Sequence, residues 1–240
     1  QPLVEALKAE LLGCAVLQRK LLYFPSHHPE ASGLLPWRHH GRLLGYSRSV
    51  SVPQNVWLML HGNGGQAADR VYALPAFSER DDVFILEYPG YGAREGSPSM
   101  ASFNRAAEEA YELLCQEFPN TPVCVIGESI GSGPACTLTT LPRPPAKLVL
   151  VVPFDTLASV ASDHYPLLPV RLFLRDNWDN VAALASYHGP LEIFGARQDQ
   201  VIPMAHARAL AASRPQAVFH EIDGGHNDWA QPGRVVIRNP

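Results

Sequence analysis

The chain has 240 residues, 46% of them hydrophobic, and a formal net charge of −4. This apolar share is enough for the core of one large α/β domain or two small ones. The acidic balance provides no basic surface for nucleic acid, and no run of about 18 apolar residues predicts a membrane span.

The first segment shows a helical spacing of leucines with charged residues between them, so a helix and linker are expected over residues 1–25. The stripe consists of Leu3, Leu7, Leu11 and Leu21. It would allow association with a membrane surface. Because the sequence begins at Gln1 rather than Met, an upstream segment is also expected, and whether it is a signal peptide or a membrane anchor is left open.

Six short apolar runs follow, with helical patterns between several of them. The runs are 56–60, 83–86, 122–126, 147–152, 191–194 and 217–222, a weaker strand or hairpin covers 43–52, and the helical patterns are 101–118, 131–140 and 205–213. Strands that are apolar on both faces and alternate with helices predict a mostly parallel central sheet flanked by helices. Reactive groups gather at the carboxyl ends of the strands in such a sheet.

The third run ends in GESIG, residues 127–131, which fits the G-x-S-x-G nucleophile elbow. A sharp turn from strand to helix exposes the side chain of its central residue, here Ser129, and requires small neighbours. Gly127 and Gly131 meet that requirement. The helix that begins here also directs backbone N–H groups toward Ser129. A Gly-rich turn without chemistry is the alternative, and the position between a strand and a helix favours the elbow.

A serine hydroxyl needs a base, and the base needs an acid. Of the ten histidines, His226 lies on a Gly-rich loop after the last apolar run, and it is the predicted base. Asp199, directly after the fifth run, is the predicted acid. Asp155, after the fourth run, is the alternative.

The sequence HGNGG, residues 61–65, follows the first apolar run. Acyl transfer creates an oxyanion that two backbone N–H groups must hold. We predict that Asn63 on this loop and Ile130 beside the serine donate them, since glycines allow the backbone to approach the substrate closely.

These clusters, with LLYFP at 21–25 and EYPGYG at 87–92, resemble the α/β-hydrolase superfamily over about residues 21–229. The narrower resemblance is to small-capped serine hydrolases related to protein depalmitoylases, often called serine-aminopeptidase-like hydrolases. The chain order serine, aspartate, histidine is the one expected for this superfamily. The pattern departs from its relatives at Glu128, where a basic residue is common, and at Arg94, where a small residue is usual.

The resemblance implies one α/β-hydrolase domain over residues 1–240, with a small helical cap at 155–190. It implies an esterase, thioesterase or lipase-like enzyme that cleaves a small-molecule ester or acyl substrate through Ser129, Asp199 and His226, without a cofactor. A peptidase or amidase with the same triad, and a binding protein without catalysis, are the alternatives. The four cysteines have no CxxC spacing and predict no metal site, and a Cys115–Cys124 disulfide is the alternative to free core thiols.

Four aromatic residues are predicted to border the substrate cleft, although packing roles are equally compatible with their positions. They are Tyr88, Tyr91, Tyr165 and Trp229. Apolar cap residues are candidates for an acyl pocket, and at least half of them are expected to pack the cap onto the sheet instead. They are Leu167, Leu168, Val170, Leu172 and Phe173, beside Tyr165.

Overall fold

The computed structural model describes residues 18–20, 22–29, 33–170 and 174–240. Most of the predicted N-terminal helix lies outside the described residues, as do Cys14, Leu172 and Phe173, and its contact with a membrane surface stays a prediction. Within the described residues, no helix combines the length and apolar character needed to cross a bilayer.

One eight-stranded sheet forms the centre of the molecule. Its strands are β1 (Leu35–His39), β2 (Arg42–Arg48), β3 (Val56–Leu60), β4 (Asp82–Leu86), β5 (Val123–Glu128), β6 (Leu148–Val151), β7 (Leu191–Ala196) and β8 (Val218–Ile222). Their order is β1-β2-β4-β3-β5-β6-β7-β8. The pairs that involve β2 are antiparallel and all other pairs are parallel, which confirms the predicted mostly parallel sheet.

The sheet is covered on both faces, which explains why its central strands read as continuous apolar runs. Side chains alternate along β3, so Val56, Leu58 and Leu60 join one apolar cluster while Trp57 and Met59 join the other. All five side chains are fully buried. The core therefore consists of two apolar layers separated by the sheet.

The helices supply the outer layers. They include α1 (Met100–Glu117), α2 (Ser132–Thr137), α3 (Leu157–His164), α4 (Asn180–Leu184) and α5 (Met204–Ala212), with 3₁₀ helices at Ala67–Ala76, Ser129–Gly131 and Leu138–Thr140. The longest helix, α1, is capped at its N-terminus by Ser99, whose side chain and that of Ser102 form a capping box. It packs on the face of the sheet that carries Val56, Leu58 and Leu60. The 3₁₀ helix Ala67–Ala76 packs on the opposite face, with Trp57 and Met59.

Strand order creates a crevice between β3 and β5. The chain passes from β3 to β4 on one side and from β5 to β6 on the other, so the loops after β3 and β5 leave in opposite directions. This arrangement is a topological switch point, where α/β sheets bind ligands. Because Leu60 pairs with Gly127, the loop that begins at His61 and the residue Ser129 emerge side by side.

A short segment between β6 and β7 lies above this crevice and contains α3 and α4. The part that contains α3 is paired at its two ends: Thr156 and Asp179 form a β-bridge, and the Leu157 N–H donates to the Trp178 carbonyl at 3.0 Å. These pairings close residues 156–179 into a loop whose two ends lie side by side.

Two elements were not predicted from the sequence. The edge strand β1 buries only Trp37, so it lacks an apolar run. The 3₁₀ helix Ala67–Ala76 contains Pro75 and buries mainly alanines, so it lacks a clear helical period. Cys115 and Cys124 are both buried and free, which excludes the alternative of a disulfide between them.

Candidate active site

Ser129 lies at a sharp turn between β5 and the helix that follows. Its φ angle is +54°, a left-handed conformation that costs a non-glycine residue about 1–3 kcal/mol. The turn is supported from below, because the Ser132 hydroxyl donates to the Ser129 carbonyl oxygen at 2.7 Å and accepts from the Asn180 side-chain amide at 3.1 Å. The predicted nucleophile elbow is thus present as a backbone feature.

The glycines around the elbow are required by close neighbours. A Cβ at Gly131 would overlap the Leu60 carbonyl on β3, and a Cβ at Gly127 would lie 2.7 Å from the Gly131 carbonyl oxygen. A Cβ at Gly133 would lie 2.5 Å from the Trp178 ring. The need for small residues was predicted, but the crowding comes from the adjacent strand, the turn itself and the cap rather than from the serine side chain.

The three predicted triad residues come together above the carboxyl ends of β5, β7 and β8. His226 Nε2 lies 2.8 Å from Ser129 Oγ, and His226 Nδ1 lies 2.7 Å from Asp199 Oδ2. The second oxygen of Asp199 accepts the N–H groups of Val201 and Ile202, both at 2.8 Å. Since a carboxylate only accepts, Nδ1 carries the proton and the Nε2 lone pair faces the serine hydroxyl.

The alternative acid, Asp155, contacts a different histidine. His206 on α5 places Nδ1 2.8 Å from Asp155 Oδ1 and Nε2 3.1 Å from Asp163 Oδ2 on α3. Both ring nitrogens must donate to satisfy two carboxylates, so His206 is an imidazolium. Its hydrogen bond to Asp155 raises the pKa of His206 despite partial burial. Burial is the largest single influence on Asp155 and opposes its ionisation, but the hydrogen bonds from His206 and from the Thr156 N–H, together with the His206 charge, lower the pKa of that carboxyl.

This cluster predicts a pH-dependent stability. Because the folded-state pKa of His206 is raised, its contribution should be complete below about pH 6.5, the usual pKa of histidine, and be lost as pH rises through the raised value. The measurement is the free energy of unfolding of the wild type and of His206→Gln at about pH 6 and about pH 9. The difference between the two proteins should shrink at the higher pH, and a constant difference would contradict the prediction.

The loop after β3 is held by side chains beneath it. The Arg70 guanidinium donates to the Gly62 carbonyl at 3.2 Å and also to the Gly64 carbonyl. The Asn63 side chain accepts from the Phe24 N–H at 3.1 Å and donates to the Leu22 carbonyl at 2.5 Å. These bonds tie the Asn63 side chain to the N-terminal segment, and its backbone N–H is the predicted donor to the oxyanion.

A cavity of about 740 Å³ opens beside Ser129 and His226 and includes both predicted oxyanion residues, Asn63 and Ile130. Its apolar lining comes from the N-terminal segment, the elbow, the cap and the loops after β6 and β7: Leu22, Phe24, Ile130, Phe154, Leu157, Val160, Val201 and Ile202. Its other polar lining residues include Arg70, Tyr72, Glu128, His164 and Asn227. The cavity beside Ser129 therefore offers a ligand both apolar side chains and polar groups.

The structure corrects the predicted substrate contacts. Tyr88, Tyr91 and Trp229 are fully buried and do not line the cavity. The two tyrosine hydroxyls donate to the loop after β3, at the His61 carbonyl (2.9 Å) and the Asn63 side chain (2.8 Å). These three residues therefore support the site from behind.

The cap also differs from expectation. Tyr165, Leu167 and Leu168 are exposed and lie outside the cavity, whose cap residues instead come from α3. Sequence reasoning missed Leu157 and Val160 of α3, although their spacing of three places both on one helix face. It also missed the cavity contacts of Leu22 and Phe24, which belong to the LLYFP segment. Among the described residues, no group of three or more histidines, cysteines and acidic residues is arranged to hold a metal ion.

Comparison with known proteins gives relatives over most of the chain. The uncharacterized protein Rv2307c of Mycobacterium tuberculosis is 32% identical over 92% of this chain and 84% of its own length. The α/β hydrolase domain-containing protein WAV2 of Arabidopsis thaliana is 27% identical over 74% of this chain and 66% of its length. Lysophosphatidylserine lipase ABHD12 of Danio rerio is 31% identical over half of this chain and 33% of its length. No protein-family model matches the chain.

Solved structures share the fold at low sequence identity. A Thermus thermophilus protein, TT1662, superposes with a TM-score of 0.66 at 19% identity, over 84% of this chain and 92% of that one. The Pyrococcus furiosus esterase Pf2001 gives 0.64 at 13% identity, over 88% and 91%. The thioesterase domain from the curacin biosynthetic pathway gives 0.61 at 15% identity, over 85% and 96%. Sheet order, elbow geometry and these relatives agree, and the chain belongs to the α/β-hydrolase superfamily.

Proposed function

We propose that this protein is a serine hydrolase that cleaves carboxylic esters or thioesters through an acyl-enzyme on Ser129. The observation that carries the proposal is the continuous hydrogen-bonded line from Ser129 Oγ through the His226 ring to Asp199, with distances of 2.8 and 2.7 Å. Serine is activated in this way by a base that a third group orients.

In the first half-reaction, Ser129 Oγ bonds to the substrate carbonyl carbon while His226 Nε2 takes the hydroxyl proton. The carbonyl electron pair moves to oxygen, and the N–H groups of Asn63 and Ile130 hold the resulting oxyanion. Collapse of this intermediate breaks the bond to the alcohol or thiol, which leaves with the proton from His226. Water repeats the sequence on the acyl-enzyme, releases the acid and restores the Ser129 hydroxyl.

Asp199 stabilises the imidazolium that forms at each step and holds Nδ1 protonated. Two backbone N–H groups and the imidazole satisfy its carboxylate.

The lining of the cavity favours an acyl ester whose chain is apolar and whose leaving group is polar. Leu157, Val160 and Ile202 contribute apolar lining, and Arg70 and Tyr72 contribute polar groups. The names of three relatives in sequence or fold, a lysophosphatidylserine lipase, an esterase and a thioesterase, support this class of substrate.

The proposal is tested with p-nitrophenyl esters of increasing acyl length, using Ser129→Ala protein as the blank. Each methylene that packs against the apolar lining is worth about 0.8 kcal/mol, so kcat/KM should rise by up to roughly fourfold per methylene until that lining is covered. Matched p-nitroanilides of the same acids measure amide cleavage. Faster turnover of the anilides would replace the esterase assignment with an amidase or peptidase.

A binding protein without catalysis is the rival from another class. A fluorophosphonate probe separates the two, because it reacts with an activated serine. Wild-type protein that is folded, hydrolyses none of these esters and leaves Ser129 unlabelled would overturn the proposed function.

A further inference from the structure

Glu128, the last residue of β5, stands directly before Ser129 and is only 4% exposed. It also borders the cavity, where no step of the proposed reaction uses it. A buried carboxylate is costly unless hydrogen bonds satisfy it, so its partners show what the residue is held for.

The two oxygens of Glu128 accept from two different loops. Oε2 accepts the Gly62 N–H at 2.9 Å, and Gly62 is the neighbour of Asn63. Oε1 accepts the Trp229 indole N–H at 3.0 Å, and Trp229 lies three residues after His226. One carboxylate therefore contacts both the loop after β3, which carries Asn63, and the loop that carries His226. Its own backbone continues directly into Ser129.

The surroundings are shaped to this carboxylate. A Cβ at Gly62 would lie 3.1 Å from the Glu128 carboxyl carbon, so glycine leaves the space that the carboxylate occupies. The Tyr72 hydroxyl approaches Oε1 at 3.4 Å, and Arg70 donates to that hydroxyl at 2.8 Å. Burial, with the nearby Glu128 charge, raises the pKa of Tyr72 to about 12, so its hydroxyl keeps the proton it donates.

We propose that Glu128 is a positioning residue, whose carboxylate fixes the loop of Asn63 and the loop of His226 relative to Ser129. This inference rests on the proposed function for its effect on turnover, but not for the linkage itself. The competing explanation is structural: Glu128 would merely satisfy a buried indole, with no consequence for the site.

The test variant is Glu128→Gln, which keeps the shape of the side chain. Its single amide oxygen replaces two acceptors, so the Gly62 and Trp229 N–H groups cannot each keep an oxygen of their own. Asp81→Asn is the matched control. Asp81 is fully buried and accepts the Trp57 indole N–H at 3.2 Å and the Asn55 side-chain amide at 2.9 Å, but it precedes β4, at the opposite end of the sheet.

We expect Glu128→Gln to lower kcat by about 10²-fold with little change in KM, because glutamine keeps the shape of the side chain that borders the cavity and only the geometry of the reacting groups is loosened. Asp81→Asn should lower the melting temperature and leave kcat unchanged. A purely structural Glu128 would behave like Asp81. Equal kcat values for Glu128→Gln and the wild type would overturn the inference.

Nuclear magnetic resonance detects the two hydrogen bonds that Glu128 accepts, without any measurement of turnover. The Gly62 amide and Trp229 indole proton resonances should both move upfield in Glu128→Gln, and unchanged resonances would overturn the inference. Displaced resonances in a protein whose wild type hydrolyses no ester would support the linkage and overturn the proposed function. If Glu128→Gln does not fold, Trp229→Phe removes one donor alone and should still lower kcat and displace the Gly62 resonance.

Discussion

Replacement of Ser129 by alanine is expected to lower kcat for ester hydrolysis by about 10⁶-fold, close to complete loss. The hydroxyl oxygen is the atom that bonds to the carbonyl carbon, and His226 alone cannot form the acyl-enzyme. Residual rate would come from water activated in the same cavity by the remaining groups. The measurement is kcat on the best p-nitrophenyl ester, with covalent labelling by a fluorophosphonate as a second readout.

Ser213→Ala provides the control for this substitution. The Ser213 hydroxyl donates to the Leu210 carbonyl at 2.7 Å at the end of α5, away from the cavity. It should retain both turnover and labelling. Ester turnover by Ser129→Ala at the wild-type rate would place the nucleophile elsewhere and contradict the mechanism.

Replacement of Asp199 by asparagine is expected to lower kcat by roughly 10⁴-fold with little change in fold. The carboxylate holds the Nδ1 proton of His226, whereas an amide can donate to Nδ1 and so favour the tautomer that turns the Nε2 proton toward Ser129. Nε2 would then lack the lone pair that takes the serine proton. Steady-state kinetics on the same ester, with unfolding curves to confirm the fold, make the comparison.

Asp155→Asn is the matched control for that experiment, because the same change is made at the other candidate acid. Asp155 contacts His206 rather than His226, so its kcat should stay within a few-fold of the wild type. Near-normal turnover in Asp199→Asn together with a large loss in Asp155→Asn would reverse the assignment of the acid.

The central strands were predictable because burial on both faces leaves an unbroken apolar run. The run 56–60 is β3 to the residue, and the run 191–194 extends by two residues in β7. Elements without such a run escaped prediction. In β1 only Trp37 faces the core, and the 3₁₀ helix Ala67–Ala76 is recognisable only from its packing on the sheet.

Some residues of the site could likewise be predicted from the sequence, and others could not. Ser129, Asp199 and His226 were predictable because each follows a strand closely, and parallel strands bring their carboxyl ends to one edge. Tyr88 and Trp229 were misassigned to the substrate cleft because an aromatic residue near a catalytic motif has the same sequence pattern whether it faces the ligand or the core. Their complete burial shows which side they face.

Local sequence determined on its own the succession of the buried strands, the elbow at Ser129 and the candidates for the base and the acid of the proposed triad, since these depend on neighbours within a few positions. Only the tertiary structure decided which acid meets His226, which side chains line the cavity and which loops Glu128 joins. Those contacts connect residues 27, 66 and 101 positions apart in the chain. Their distances are set by how the loops pack at the end of the sheet, which no local pattern encodes.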